Sequence, residues 1–135
     1  MTPLEKKEIL TLNDTLSTEV RIGLLATEHE KSGSVGQFCD ELNQLVPRIR
    51  IEREEGDPDA VPAIKIHNGL WYQAIPSGTE LAPFIEALNM LGSATMQIDK
   101  DLKDRLADID LPTHLSIYVA PQCKFCPEAV RQLLP

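Results

Sequence analysis

The chain reads as an α/β fold, a mixed sheet flanked by helices. Three observations predict it. Short runs rich in Val, Ile and Leu alternate with segments whose apolar residues recur at helical spacing. Asn68-Gly69, the strongest short hairpin signal, joins two of the runs. The order helix, strand, helix, strand, hairpin pair, helix closes at Gly92, and a second helix–strand–helix series follows it.

The elements follow in order. Residues 3–16 place Leu4, Ile9, Leu10, Leu12 and Leu16 among charges and predict a leading helix. Glu19 to Ala26 predicts a strand buried on both faces. After a polar stretch, Ser34 is the expected N-cap of an amphipathic helix carrying Val35, Phe38, Cys39, Leu42, Leu45 and Val46, closed by Pro47. Arg48 to Glu52 alternates with period two and predicts a strand with one buried face. An acidic loop leads to a strand over 61–67, and the hairpin to another over 70–75. The same period sets Trp71 and Tyr72 on opposite faces, one in the core and one outside. Thr79 is the expected cap of a helix with Leu81, Phe84, Ile85, Leu88 and Leu91, ending at Gly92. A short helix over 99–109, a strand over 115–120 and a helical segment from Cys126 complete the series.

Composition narrows the function. The chain has 135 residues, a net charge of −8 and acidic residues gathered at Glu52, Glu54, Glu55, Asp57 and Asp59. That balance argues against nucleic acid, whose phosphates call for Lys and Arg patches. No apolar run approaches the roughly 18 residues of a membrane span. The start, Met1-Thr-Pro-Leu-Glu-Lys-Lys-Glu8, lacks the apolar stretch of a secretory signal, so the expected location is cytoplasmic. Three cysteines are too few for a disulfide scaffold, and a close pair in such a chain points to redox chemistry or metal.

Cys123-Lys-Phe-Cys126 is that pair. A dithiol redox site needs an exposed nucleophilic thiolate and a second thiol within reach to resolve the mixed disulfide. Two intervening residues at a helix start satisfy both needs. Cys123 is the candidate nucleophile and Cys126 the resolving thiol. Lys124 adds a positive charge that favours the thiolate, and Pro127 suits the first helical turn, where its missing N–H would go unbonded. A structural zinc site needs four ligands, and Cys39 with the three histidines offers no matching spacing, so no metal is expected. Cys39 lies on an apolar helix face and reads first as a small buried hydrophobe. His29, His67 and His114 read as solvent-facing structure. No glycine-rich phosphate loop or triad is visible, and the chain itself implies no bound cofactor.

The two halves match each other. Val20-Arg-Ile-Gly-Leu-Leu-Ala-Thr27 parallels Leu115-Ser-Ile-Tyr-Val-Ala-Pro121, and Gly36-Gln-Phe-Cys39 parallels Cys123-Lys-Phe-Cys126. The layout, with its Val61-Pro62 ahead of a strand, resembles a tandem of thioredoxin-like units. It is similar to the protein disulfide oxidoreductases and, more closely, to the N-terminal domain of the flavoprotein component of alkyl hydroperoxide reductase. Two features favour the latter: the acidic loop leaves no room for the usual second helix, and the first unit lacks a complete Cys-x-x-Cys.

The resemblance implies a degenerate thioredoxin-like unit over 1–95 and the start of a second over 96–135. It implies a cis-proline at Pro62 for pairing with an extended substrate, and a vestigial site in which Gly36 replaces the nucleophile and Cys39 holds the resolving position. It further implies electrons from a flavoprotein reductase and delivery to a peroxiredoxin or another protein disulfide. The rest of the second unit, with its own proline, is missing, so the chain reads as a fragment of a longer protein or a natural truncation. Residues 99–135, a lone strand and helix unable to bury both faces, are expected to pack on the first unit, pair with a second copy in a homodimer, or fray. The rival reading is a non-catalytic thioredoxin-like module that positions a partner, and a third is metal-bridged dimerisation through Cys123 and Cys126.

Overall fold

The computed structural model describes residues 1–67, 69–92, 101, 104, 108, 111, 114–120 and 122–134. Thr2 opens the chain with a reciprocal cap. The Glu5 N–H donates to its Oγ1 at 3.2 Å, and its own N–H donates to Glu5 Oε2 at 2.7 Å. Helix α1 (Pro3–Leu10) follows, then α2 (Leu12–Thr15). The single leading helix expected from the sequence is thus divided at Thr11. There the hydroxyl donates to the Glu8 carbonyl at 2.6 Å, a local bond that competes with the helical ladder.

The sheet has the order β2-β1-β3-β4. Strands β1 (Val20–Ala26) and β2 (Ile49–Glu55) run parallel, joined by helix α3 (Ser32–Leu45). Strand β3 (Ala63–His67) lies antiparallel to β1, and β4 (Leu70–Tyr72) antiparallel to β3. A short 3-10 turn (Gly78–Glu80) leads into α4 (Leu81–Gly92). Gly78, at φ 58°, supplies the left-handed turn.

Parity along the strands separates the faces. Val20, Ile22 and Leu24 of β1, Ile49 of β2, and Ile64 and Ile66 of β3 are buried in one cluster with α1, α3 and α4. Arg21, Arg50, Glu52 and Trp71 point the other way and are exposed. Strand β1 is therefore buried on one face, not both. Tyr72 stands edge-on to Phe84 with ring centroids 5.3 Å apart, while Trp71 lies under the Lys65 ammonium at 5.2 Å. Gly92 ends α4 against β1, where a Cβ would come within 2.5 Å of Leu16 Cδ2. Its carbonyl accepts from Ser17 Oγ at 2.8 Å.

Several expectations change. The expected acidic loop is half strand: Glu52 to Glu55 extend β2 because Gly23 to Ala26 pair with them in register, and Arg21 and Lys65 neutralise Glu52 and Glu54. Helix α3 starts at Ser32, so Ser34 is inside it rather than capping it. The described peptide bonds are all trans, and Pro62 is a buried trans residue just before β3, not a cis-proline. Trans is the ordinary preference of an X–Pro bond by about 0.5–1 kcal/mol.

Residues 115–120 form no strand. Tyr118 is 94% and Leu115 71% exposed. A strand exists only when paired, and this segment pairs with no strand of the described sheet. Asn68 and most of the expected helix over 99–109 lie outside the described residues.

Candidate redox site

Helix α5 (Cys126–Arg131) is short and begins at the second cysteine of the pair, with Pro127 in its first turn. Cys123 and Cys126 are joined as a disulfide, with Cα atoms 5.5 Å apart. The Cys126 N–H points at Cys123 Sγ at 3.2 Å, and the Cys123 N–H donates to the Ala120 carbonyl at 2.9 Å. Both cysteines are half-buried, while Lys124 and Phe125 between them are exposed. The arrangement presents an accessible sulfur with a backbone donor beside it. In the reduced form that donor would favour a thiolate at Cys123.

Helix α5 has no fully buried residue, and its support comes from the first unit. Thr79 Oγ1 in the 3-10 turn donates to the Cys123 carbonyl at 3.3 Å. The Arg131 guanidinium grips Glu86 of α4 through both carboxylate oxygens at 2.8–2.9 Å. This pairing holds the Glu86 carboxyl below the usual carboxylate range and the Arg131 guanidinium above its own. Leu134 packs against the core, and Leu133 lines a groove of about 240 Å³ between β3, β4 and α4. Of the three fates expected for the C-terminal segment, packing on the first unit describes α5.

Glu80 is the residue the sequence reading missed. It is 4% exposed, and neither carboxylate oxygen has a hydrogen-bond partner. Burial pushes its carboxyl upward, and the Arg131 charge only partly opposes this. Its signal was disguised. Ser77-Gly-Thr-Glu80 has the spacing of a capping box, which would send the carboxylate to the backbone. No side-chain bond caps Ser77, and Thr79, expected to cap α4, faces Cys123 instead. An unpaired buried acid in the turn that carries the dithiol helix is a functional-site signal.

Gly36 and Cys39, expected to mark a vestigial site, do not sit at the start of α3. Both residues are buried inside α3, at least one turn past its start. Counting from the helix start, Cys126 corresponds to Ser32 and Cys123 to His29. Ser32 Oγ accepts from the Thr27 N–H at 3.1 Å, and His29 Nδ1 accepts from the Lys31 N–H at 3.2 Å. The matching Phe-Cys dipeptides of the two halves suggest a different register, seven residues further along the chain. Burial pushes the Cys39 thiol up to about 12, so it is no nucleophile at neutral pH. Pro62 precedes β3, whereas α5 rests on α4 and the 3-10 turn. Among the described residues no cluster of three or more His, Cys, Asp or Glu could hold a metal ion, and no helix is long and apolar enough to cross a membrane.

No family model matches the chain. A protein named NADH dehydrogenase from Ferdinandcohnia aciditolerans is 21% identical over 136 residues, covering 97% of this chain. The chain spans only 26% of that relative's length. Among solved structures, the alkylhydroperoxide reductase component AhpF (C503A mutant) from Enterococcus faecalis is similar with a TM-score of 0.73 and 21% identity, over 97% of this chain and 71% of that one. The NTD_N/C domain of the same AhpF gives 0.71 and 19% identity, over 97% and 71%. A protein disulfide oxidoreductase from Aeropyrum pernix K1 gives 0.78 and 15% identity, over 96% and 64%. With its mixed four-stranded sheet and these neighbours, the chain has a thioredoxin-like fold, resembling that of AhpF and of a protein disulfide oxidoreductase.

Proposed function

We propose that the chain is the dithiol-carrying part of a thiol–disulfide oxidoreductase, in which a degenerate unit over 1–95 supports the start of a second over 96–135. The observation that carries this reading is the Cys123–Cys126 disulfide at the start of α5, with the Cys126 N–H on Cys123 Sγ. In the reduced form the Cys123 thiolate attacks one sulfur of a partner disulfide, and the other partner sulfur leaves as a thiolate that takes a proton. Cys126, losing its own proton, then attacks Cys123 Sγ and releases the second partner sulfur as a thiol. The partner gains two electrons and two protons, and the chain is left with the Cys123–Cys126 disulfide.

A flavoprotein reductase supplies the electrons and a peroxiredoxin or another protein disulfide receives them, in the cytoplasm. The AhpF likenesses support this pairing, and the relative named NADH dehydrogenase fits a nicotinamide as the original donor. The test is reduction of a model protein disulfide by the chain with a regenerating dithiol. Cys123→Ser abolishes turnover, while Cys126→Ser accumulates a mixed disulfide through Cys123. Equal activity of wild type and Cys123→Ser overturns the reading.

The second reading, a module that binds a partner without turning over, is favoured by one observation. His29 and Ser32 stand at the start of α3 where the dithiol stands at α5. On that reading the chain binds a redox protein tightly while its own dithiol is dispensable.

A further inference from the structure

We infer that the Arg131–Glu86 ion pair positions the dithiol: it clamps α5 to the degenerate unit and thereby keeps the Cys126 N–H on Cys123 Sγ. This rests on the redox reading proposed above. The argument starts from what α5 lacks. It has six residues and none is buried, and a helix this short is not stable alone in water. Its order must come from what it touches. Leu133 and Leu134 lie beyond its end, so they tether the chain without fixing the rotation of the helix. Rotation is fixed at two points. At one end the Thr79 hydroxyl holds the Cys123 carbonyl; at the other the planar guanidinium of Arg131 meets both oxygens of Glu86. A bidentate fork restrains orientation as well as distance, which a point charge does not.

The consequence falls on the sulfur. When α5 is held, the Cys126 N–H serves Cys123 Sγ, and a thiolate gains more from that donor than a disulfide sulfur does. When it is not held, Cys123 behaves as a free thiol. Among the described residues, the charged groups of the motif, of α5 and of the elements it packs on are Lys124 in the motif, Glu128 and Arg131 on α5, Glu80 on the 3-10 turn and Glu86 on α4. Glu86→Gln removes a negative charge and leaves Arg131 only the looser Glu128 contact at 3.9 Å among the ion pairs described, so simple electrostatics would favour the thiolate. Loss of positioning would disfavour it. The two effects have opposite signs, which makes the variant decisive.

The experiment follows the rate of Cys123 alkylation against pH in the reduced chain. The variants are Glu86→Gln, Arg131→Lys and the double exchange Glu86→Arg/Arg131→Glu, all on a Cys39→Ser background, with thermal unfolding of each recorded. The expected result is alkylation about three- to tenfold slower at pH 6 in Glu86→Gln, equivalent to an upward shift of about half to one unit. Arg131→Lys loses most of the same effect, the exchanged pair regains part of it, and the unfolding midpoints stay close together. Faster or unchanged alkylation in Glu86→Gln overturns the clamp. If the parent chain itself alkylates as a free thiol, the redox reading fails instead.

Discussion

Two helix starts in this molecule differ in what they carry. At the first, α3 runs fourteen residues and buries Val35, Phe38, Cys39 and Leu42, and its start is closed by Thr27, His29 and Ser32 through local hydrogen bonds. At the second, α5 runs six residues, buries none, and starts with a disulfide. The well-packed junction has no thiol at its start, and the junction with the dithiol depends on its neighbour for support. Packing and chemistry have been divided between the halves. A helix anchored by polar contacts is more easily perturbed than one anchored by a buried apolar face such as that of α3.

The comparison predicts that cysteines work only at the helix start. In His29→Cys/Ser32→Cys a second pair forms reversibly and gains a second titratable dithiol, scored by thiol counting before and after mild oxidation. In Gly36→Cys no such pair forms with Cys39, because both positions are buried within α3. If Gly36→Cys yields the redox pair and the double variant does not, the junctions have been matched in the wrong register.

Removing the ring at Phe84 tests the rigid half. Phe84 is fully buried, with Phe38 at 5.8 Å and Tyr72 at 5.3 Å between ring centroids. Phe84→Ala is expected to cost about 3–5 kcal/mol in urea unfolding. It should also slow Cys123 alkylation at low pH, since α5 rests on α4. A destabilised core with an unaltered thiol profile would mean the two halves are independent.

Glu80 links the halves through charge. Its carboxyl is raised in the fold, so stability from this group is present below the ordinary carboxylate range and is lost as pH rises through the raised value. Glu80→Gln therefore stabilises at pH 7, by about 1 kcal/mol, because it removes the buried negative charge, and the gap closes on acidification. A gap that widens toward acid would show that Glu80 is paired in the fold. The smallest effect belongs to Gly36→Ala. The new Cβ would meet Arg53 Nη1 at 3.8 Å and Leu24 Cδ2 at 3.9 Å, ordinary contacts, and the helix interior gains about 0.5–1 kcal/mol in chemical unfolding. A destabilised Gly36→Ala would show that the position needs its glycine.

Much of the fold was legible along the chain because it rests on local periodicity. The spacing of Val35, Phe38, Cys39 and Leu42 predicted α3, and the Asn68-Gly69 pair placed the turn between β3 and β4. Element ends were less legible. Thr11 divides the leading helix by a side-chain bond, and β2 extends into the acidic stretch because β1 offers it partners. Residues 115–120 have a strand's composition but pair with no edge of the described sheet, which composition cannot reveal.

By itself the sequence determined the α/β alternation, the buried faces of α3 and α4, and the pair of thiols two residues apart. Those depend on near neighbours in the chain, where steric preference and hydrophobic spacing act directly. The tertiary structure alone decided that Glu80 is buried without a hydrogen-bond partner, that Thr79 turns to Cys123, that Arg131 finds Glu86, and that α3 starts at Ser32, ahead of Gly36 and Cys39. Each of these relations except the last joins residues far apart in sequence or sets one among them. They depend on how α4, the 3-10 turn and α5 pack together, and the last depends on where backbone hydrogen bonding starts a helix.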